Sequence, residues 1–121
     1  MTGHKNQSFP RRLSFALAGL AHALRSEQSV KAQVGVFTLV LVAMLWLRPG
    51  ALWWALVMLA SAGVIATELL NTAIEHLADH LHPDIHPQIR VVKDCAAAAV
   101  LVAVLGAIGV GVALAVSLIS K

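Results

Sequence analysis

Tyrosine is absent from this sequence, cysteine occurs once, and charged residues make up only 12% of its 121 positions. A soluble domain usually carries about 25% charged residues, because most of its surface must face water. The shortage excludes a soluble monomer, and 59% hydrophobic residues point to a bilayer instead. Cys95 has no second cysteine to pair with, so no internal disulfide exists. Basic runs interleaved with aromatics are missing too, and the net charge is only +3, so nucleic acid is not an expected partner. The opening MTGHKNQSFPRRLSF stays polar too long for a signal peptide and shows no small-residue cleavage site. The apolar segments are therefore expected to be permanent.

What is present is a succession of helical patterns. Residues 1–10 are polar and are expected to form a flexible, frayed N-terminus. From 11 to 27, Leu13, Leu17, Leu20 and Leu24 recur at helical spacing, while Arg11, Arg12, His22 and Arg25 carry the polar side. That pattern predicts an amphipathic helix lying in the membrane interface. The run VGVFTLVLVAMLWL, Val34 to Leu47, is short for a hydrocarbon core that needs about 20 residues. Extending the span to about 30–48, past Lys31 with its snorkelling stem, supplies the missing length. Arg48-Pro49-Gly50 then makes a turn, and Trp46, Trp53 and Trp54 beside it suit an interfacial belt. The second span is expected over 51–81, its last turns projecting beyond the lipid. A loop, HPDIHPQIR, precedes a third span over 95–120, where Gly106, Gly109 and Gly111 suit close helix–helix approach. The expected fold class is an all-α membrane protein, one domain over 11–121 with an interfacial helix and three transmembrane helices.

Lys5, Arg11, Arg12, Arg25 and Lys31 precede the first span, whereas Arg48 is alone in the first loop. The positive-inside rule then places the N-terminus, and the loop holding Arg90 and Lys93, in the cytoplasm, with Lys121 on the far side.

All six acidic residues fall on or near that same interface. Glu27 closes the amphipathic helix, Glu68, Glu75 and Asp79 line the end of the second helix, Asp84 sits in the loop, and Asp94 opens the third helix. At about 100° per residue, Glu68, Asn71, Glu75 and Asp79 share an arc of about 80°. A carboxylate at the depth of Glu68 costs at least about 2.5 kcal/mol unless it has a partner or faces a site. Salt bridges to Arg90 and Lys93 can absorb some of this charge but not all of it. Clustered oxygen donors favour Mg²⁺ shared with substrate phosphates. Phosphoryl transfer needs a metal, a cation for the transferring group and a base for the hydroxyl proton. Glu27 and Glu75 can hold the metal, Lys93 can meet phosphates, and Glu68 lies deep enough for a lipid hydroxyl. The spacing permits this chemistry without singling it out. His76 and His80 stand four apart, with His82 and His86 nearby, a spacing that also admits a transition metal. Ordinary interfacial side chains are the expected reading of these four, and an inert small residue that of Cys95.

The string E-L-L-N-T-A-I-E-x3-D (Glu68 to Asp79), followed by V-V-K-D (Val91 to Asp94), resembles the small prokaryotic integral-membrane diacylglycerol kinase family, which includes undecaprenol kinases. The resemblance covers about Ser14 to Ile119. It implies a homotrimer in the bacterial inner membrane that uses Mg²⁺–ATP and a membrane lipid alcohol, with active sites between subunits. It implies Glu68 as catalytic base with Asn71 beside it, and Glu27 and Glu75 as metal-binding carboxylates at the nucleotide. Asp84, His86, Lys93 and Asp94 match nucleotide-contacting positions, and Asp79 the acidic residue one turn past the metal ligand. The family builds its nucleotide site without a phosphate loop, and this chain likewise has no G-x-x-x-x-G-K-[ST]. Phe15 stands where the enterobacterial-type enzyme has tyrosine, Ala97 where it has serine, and Val91 where it has arginine. The H-P-x-x-R-x-x-K-D pattern from His86 to Asp94 looks closer to the undecaprenol branch, so diacylglycerol and undecaprenol both stand as acceptors. A small channel, metal transporter or membrane adaptor is the reading from another class. A channel expects polar residues across the bilayer, and the outer half of the second span offers only Ser61 and Thr67.

Overall fold

A computed structural model describes residues 3–120; Met1, Thr2 and Lys121, and with them the expected side of Lys121, lie outside the described residues. A short 3-10 turn, His4–Asn6, leads into four helices: α1 Phe9–Ser26, α2 Gln28–Leu47, α3 Ala51–Leu81 and α4 Pro87–Ile119. Strands are absent among the described residues. Three helices, α2, α3 and α4, are long and apolar enough to cross a membrane. The protein is a multi-pass helical membrane protein.

The helix boundaries follow from local chemistry. Pro10 occupies the first turn of α1, where its missing N–H leaves no bond unmade and its fixed φ is already helical. His4 stacks on Phe15 with ring centroids 4.1 Å apart. Glu27 alone separates α1 from α2, in an extended conformation (φ −111°, ψ 116°). Its N–H donates to Ala23 O and its own carbonyl accepts from Lys31 N, so one residue serves as C-cap and N-cap together. Arg48 ends α2 in the left-handed region (φ 51°), sparsely used by residues with a Cβ, and Pro49 prevents the helix from continuing.

The last helix corrects the sequence-based boundary. It begins at Pro87, not at Cys95, so the expected loop 82–90 is helical from its sixth residue. The prolines of HPDIHPQIR suggested a break throughout, yet Pro87 sits in the first turn and His86 caps it, its Nδ1 accepting from Gln88 N at 3.1 Å. Cys95 marks where charge ends, not where the helix starts.

α3 and α4 pack antiparallel along their lengths and α2 lies against α3. The spans converge at the end far from the acidic residues, where Met44, Val57 and Leu114 are buried together against Val40, Trp53 and Trp54. Apart from that cluster, the backbones of α2 and α4 stay apart. Between them an apolar groove of about 360 Å³ remains open, floored by Val57, Ser61 and Val64 of α3 and walled by residues such as Val40 and Val104. The glycine expectation fails within one chain: a Cβ at Gly106, Gly109 or Gly111 would meet nothing within 4 Å. These positions sit on faces of α4 that no helix of the same chain covers.

Candidate active site

Val57, Ser61 and Val64 lie on one face of α3, and the spacing of three or four carries that face on to Glu68, Asn71 and Glu75. The apolar floor of the groove therefore runs directly into the polar stripe. Glu68, 5% exposed, is the one buried charged residue among those described. Its carboxylate has no hydrogen-bond or ion-pair partner in the described chain, and Thr67 beside it returns its hydroxyl to Gly63 O and Val64 O. Asn71, one turn on, keeps a buried Oδ1 without a partner. An unsatisfied buried acceptor such as Asn71 Oδ1 is costly, and it marks a position where a donor from outside can bind.

At the interfacial end, α3 meets the α1–α2 joint. Glu27 Oε1 accepts a hydrogen bond from His76 Nε2 at 2.7 Å, which ties the joint residue to the position next to Glu75. Glu75 itself is half-buried on the stripe. Sequence reasoning passed over His76, because 100° of helix rotation separates it from Glu75. The contact crosses elements and has no helical period to betray it.

A second patch forms where α3 ends. Lys93 of α4 donates to Asp79 Oδ1 of α3, the one member of the stripe taken up by an ordinary ion pair. Lys93 also lines a cleft of about 240 Å³ of mixed character, with His82, Asp84, His86 and Arg90 beside the apolar Ile85 and Ile89. His82 and His86 are 4.9 Å apart between ring centroids, and His82 Nδ1 bonds the carbonyl of Asp84. Asp94 is exposed on α4, next to Lys93 but outside the cleft lining. The structure thus joins Glu27 to His76 of α3, next in the chain to Glu75, and gathers Asp84, His86 and Lys93 around one cleft, while Asp79 pairs with Lys93 and Glu68 is buried farther along α3.

No group of three histidine, cysteine or carboxylate side chains is poised to hold a metal among the described residues. Glu27 and Glu75 offer carboxylate oxygens, the donor chemistry of a hard divalent cation that takes one or two carboxylates and completes its shell with water and phosphate.

These features define a class: a three-span helical membrane protein with a carboxylate-rich site at one end of its bundle. Residues 14–115 match the prokaryotic diacylglycerol kinase family, and the chain belongs to that family. It is also similar to a diacylglycerol kinase from Synechocystis sp., 34% identical over 98 residues, which are 80% of this chain and 56% of the relative. The chain spans about half the length of that curated relative. Kinases of this family generally use a divalent metal ion.

Proposed function

We propose that this protein is an Mg²⁺- and ATP-dependent lipid kinase that phosphorylates the hydroxyl of diacylglycerol to give phosphatidic acid. The observation that carries the reading is the continuity of the α3 face, apolar along the groove and then Glu68, Asn71 and Glu75. Acyl chains lie in the groove, and the hydroxyl at their head meets Glu68 one turn beyond Val64.

Glu68 accepts the proton of that hydroxyl as its oxygen attacks the γ-phosphorus of ATP. The new O–P bond forms as the bond to the β,γ-bridging oxygen breaks, and ADP leaves with that oxygen. Asn71, with its free Oδ1, orients the acceptor. Lys93 leaves Asp79 to meet phosphate oxygens, while Asp84, His86 and Asp94 contact the nucleotide from the cleft side. Glu27 and Glu75 would hold the divalent cation, which would supply neutralisation of the phosphates' negative charge when bound.

The site faces the cytoplasm of the bacterial inner membrane, a placement supported by the basic residues before α2. Three copies assemble around it; support comes from the uncovered glycines of α4 and from the low burial of all three spans within one chain. Undecaprenol remains the competing acceptor because of the His86–Asp94 pattern.

The test is a side-by-side assay of purified protein in lipid with Mg²⁺–ATP and either diacylglycerol or undecaprenol. Phosphatidic acid as the faster product is the expected result. Faster formation of undecaprenyl phosphate moves the acceptor to the second reading, and no phosphorylated lipid from folded protein removes the kinase.

A further inference from the structure

Glu27 occupies an unusual position for a metal carboxylate. It belongs to no helix, standing alone in an extended conformation between α1 and α2. A side chain on a one-residue joint has no helical turn of its own to fix its direction, so it is free to swing toward water.

His76 opposes that motion. Its ring crosses from α3 to the joint and its Nε2–H donates to Oε1 of Glu27 at 2.7 Å. One oxygen of the carboxylate is thereby engaged and Oε2 is left for a cation. His76 is the chain neighbour of Glu75, so the same turn of α3 that presents one carboxylate holds the other by its flank. α1 and α3 otherwise touch sparsely, and no other side-chain hydrogen bond joins them among the described residues.

We infer that His76 is a positioning residue that orients Glu27 to bind a divalent cation together with Glu75. The inference rests on the reading of Glu27 and Glu75 as metal carboxylates given above. His76 does not itself ligate: its Nε2 is already committed to Glu27. Hydrogen-bonded partners of metal ligands typically change affinity about 10–100-fold when removed, because they fix ligand orientation.

Mn²⁺ alone, followed by its electron paramagnetic resonance signal on the full-length protein in micelles, reports binding without turnover. His76→Ala is expected to weaken Mn²⁺ binding by about 10–100-fold. His76→Gln, whose amide N–H can still donate, is expected to recover most of the loss, which a purely steric role does not predict. The contact has its own readout: the ¹⁵N imidazole resonances of His76 should move in Glu27→Gln while those of His80 stay in place. Wild-type Mn²⁺ affinity in His76→Ala, with Glu75→Gln still impaired, overturns the role of His76 alone. Wild-type affinity in Glu75→Gln overturns the metal assignment, and the role of His76 falls with it. Unmoved His76 resonances in Glu27→Gln overturn the hydrogen bond.

Discussion

Lys93 reaches across from α4 to donate a hydrogen bond to Asp79 on α3, although the same residue lines the cleft beside His86. Both partners are substantially exposed, and exposed ion pairs contribute about 0–1 kcal/mol. Asp79 therefore parks the cation at the edge of the cleft at little energetic cost. Asp79→Asn is expected to leave thermal stability in detergent almost unchanged. Lys93→Ala is expected to raise the KM for ATP at least about tenfold, the loss of one charge-assisted contact of about 1.5 kcal/mol or more. Steady-state kinetics beside a melting curve separates the two, and an unchanged KM in Lys93→Ala counts against a phosphate role.

Glu68 is a buried residue, and its carboxylate makes no hydrogen bond or ion pair among the described residues, an environment that disfavours a charge. Glu68→Gln is expected to lower turnover by about 10²–10⁴-fold, the range lost with a general base. The melting temperature should hold or rise, because an amide is cheaper to bury than a carboxylate. Near wild-type turnover sinks the assignment even if the protein remains a kinase.

Ala60 lines the apolar groove between α2 and α4. Ala60→Phe places a ring where acyl chains are proposed to lie, and the open groove lets it do so without the full cost of overpacking a closed core. The KM for diacylglycerol should rise several-fold while the KM for ATP stays constant. Equal effects on both substrates are incompatible with an acyl site there.

His86 has two separable duties. Its Nδ1 caps α4, and its ring lines the cleft. His86→Ala should cost about 0.5–2 kcal/mol and speed amide exchange at residues 88–90. His86→Ser keeps a capping oxygen, so exchange should remain slow while ATP binding weakens. Recovery of both properties by serine reduces His86 to a structural cap.

The spans were legible because lipid imposes long uncharged runs, and the stripe from Glu68 to Asp79 because helical period aligns it. Three things were not. The start of α4 was hidden because Pro87 reads as a breaker unless its cap is seen. The His76–Glu27 bond joins positions 49 apart in the chain, beyond any local pattern. The glycines of α4 promised close packing, but sequence does not say whether the neighbour is the same chain, another copy or lipid. Pairing of Asp79 with Lys93 also shows that the plain salt-bridge reading holds for part of the acidic cluster.

α3 runs 31 residues without interruption, about 46 Å, against about 30 Å for the 20 residues of α2. Along it, Glu68 and Glu75 are two turns apart, a rise of about 10 Å. An unbroken helix neither stretches nor folds, so this interval behaves as a ruler set upright in the bilayer. With the proposed roles of Glu68 and Glu75, selection among lipids would act on depth: an alcohol would be measured by how far below the phosphates its oxygen comes to rest. Head groups that carry their hydroxyl too high or too low would then be refused by geometry alone.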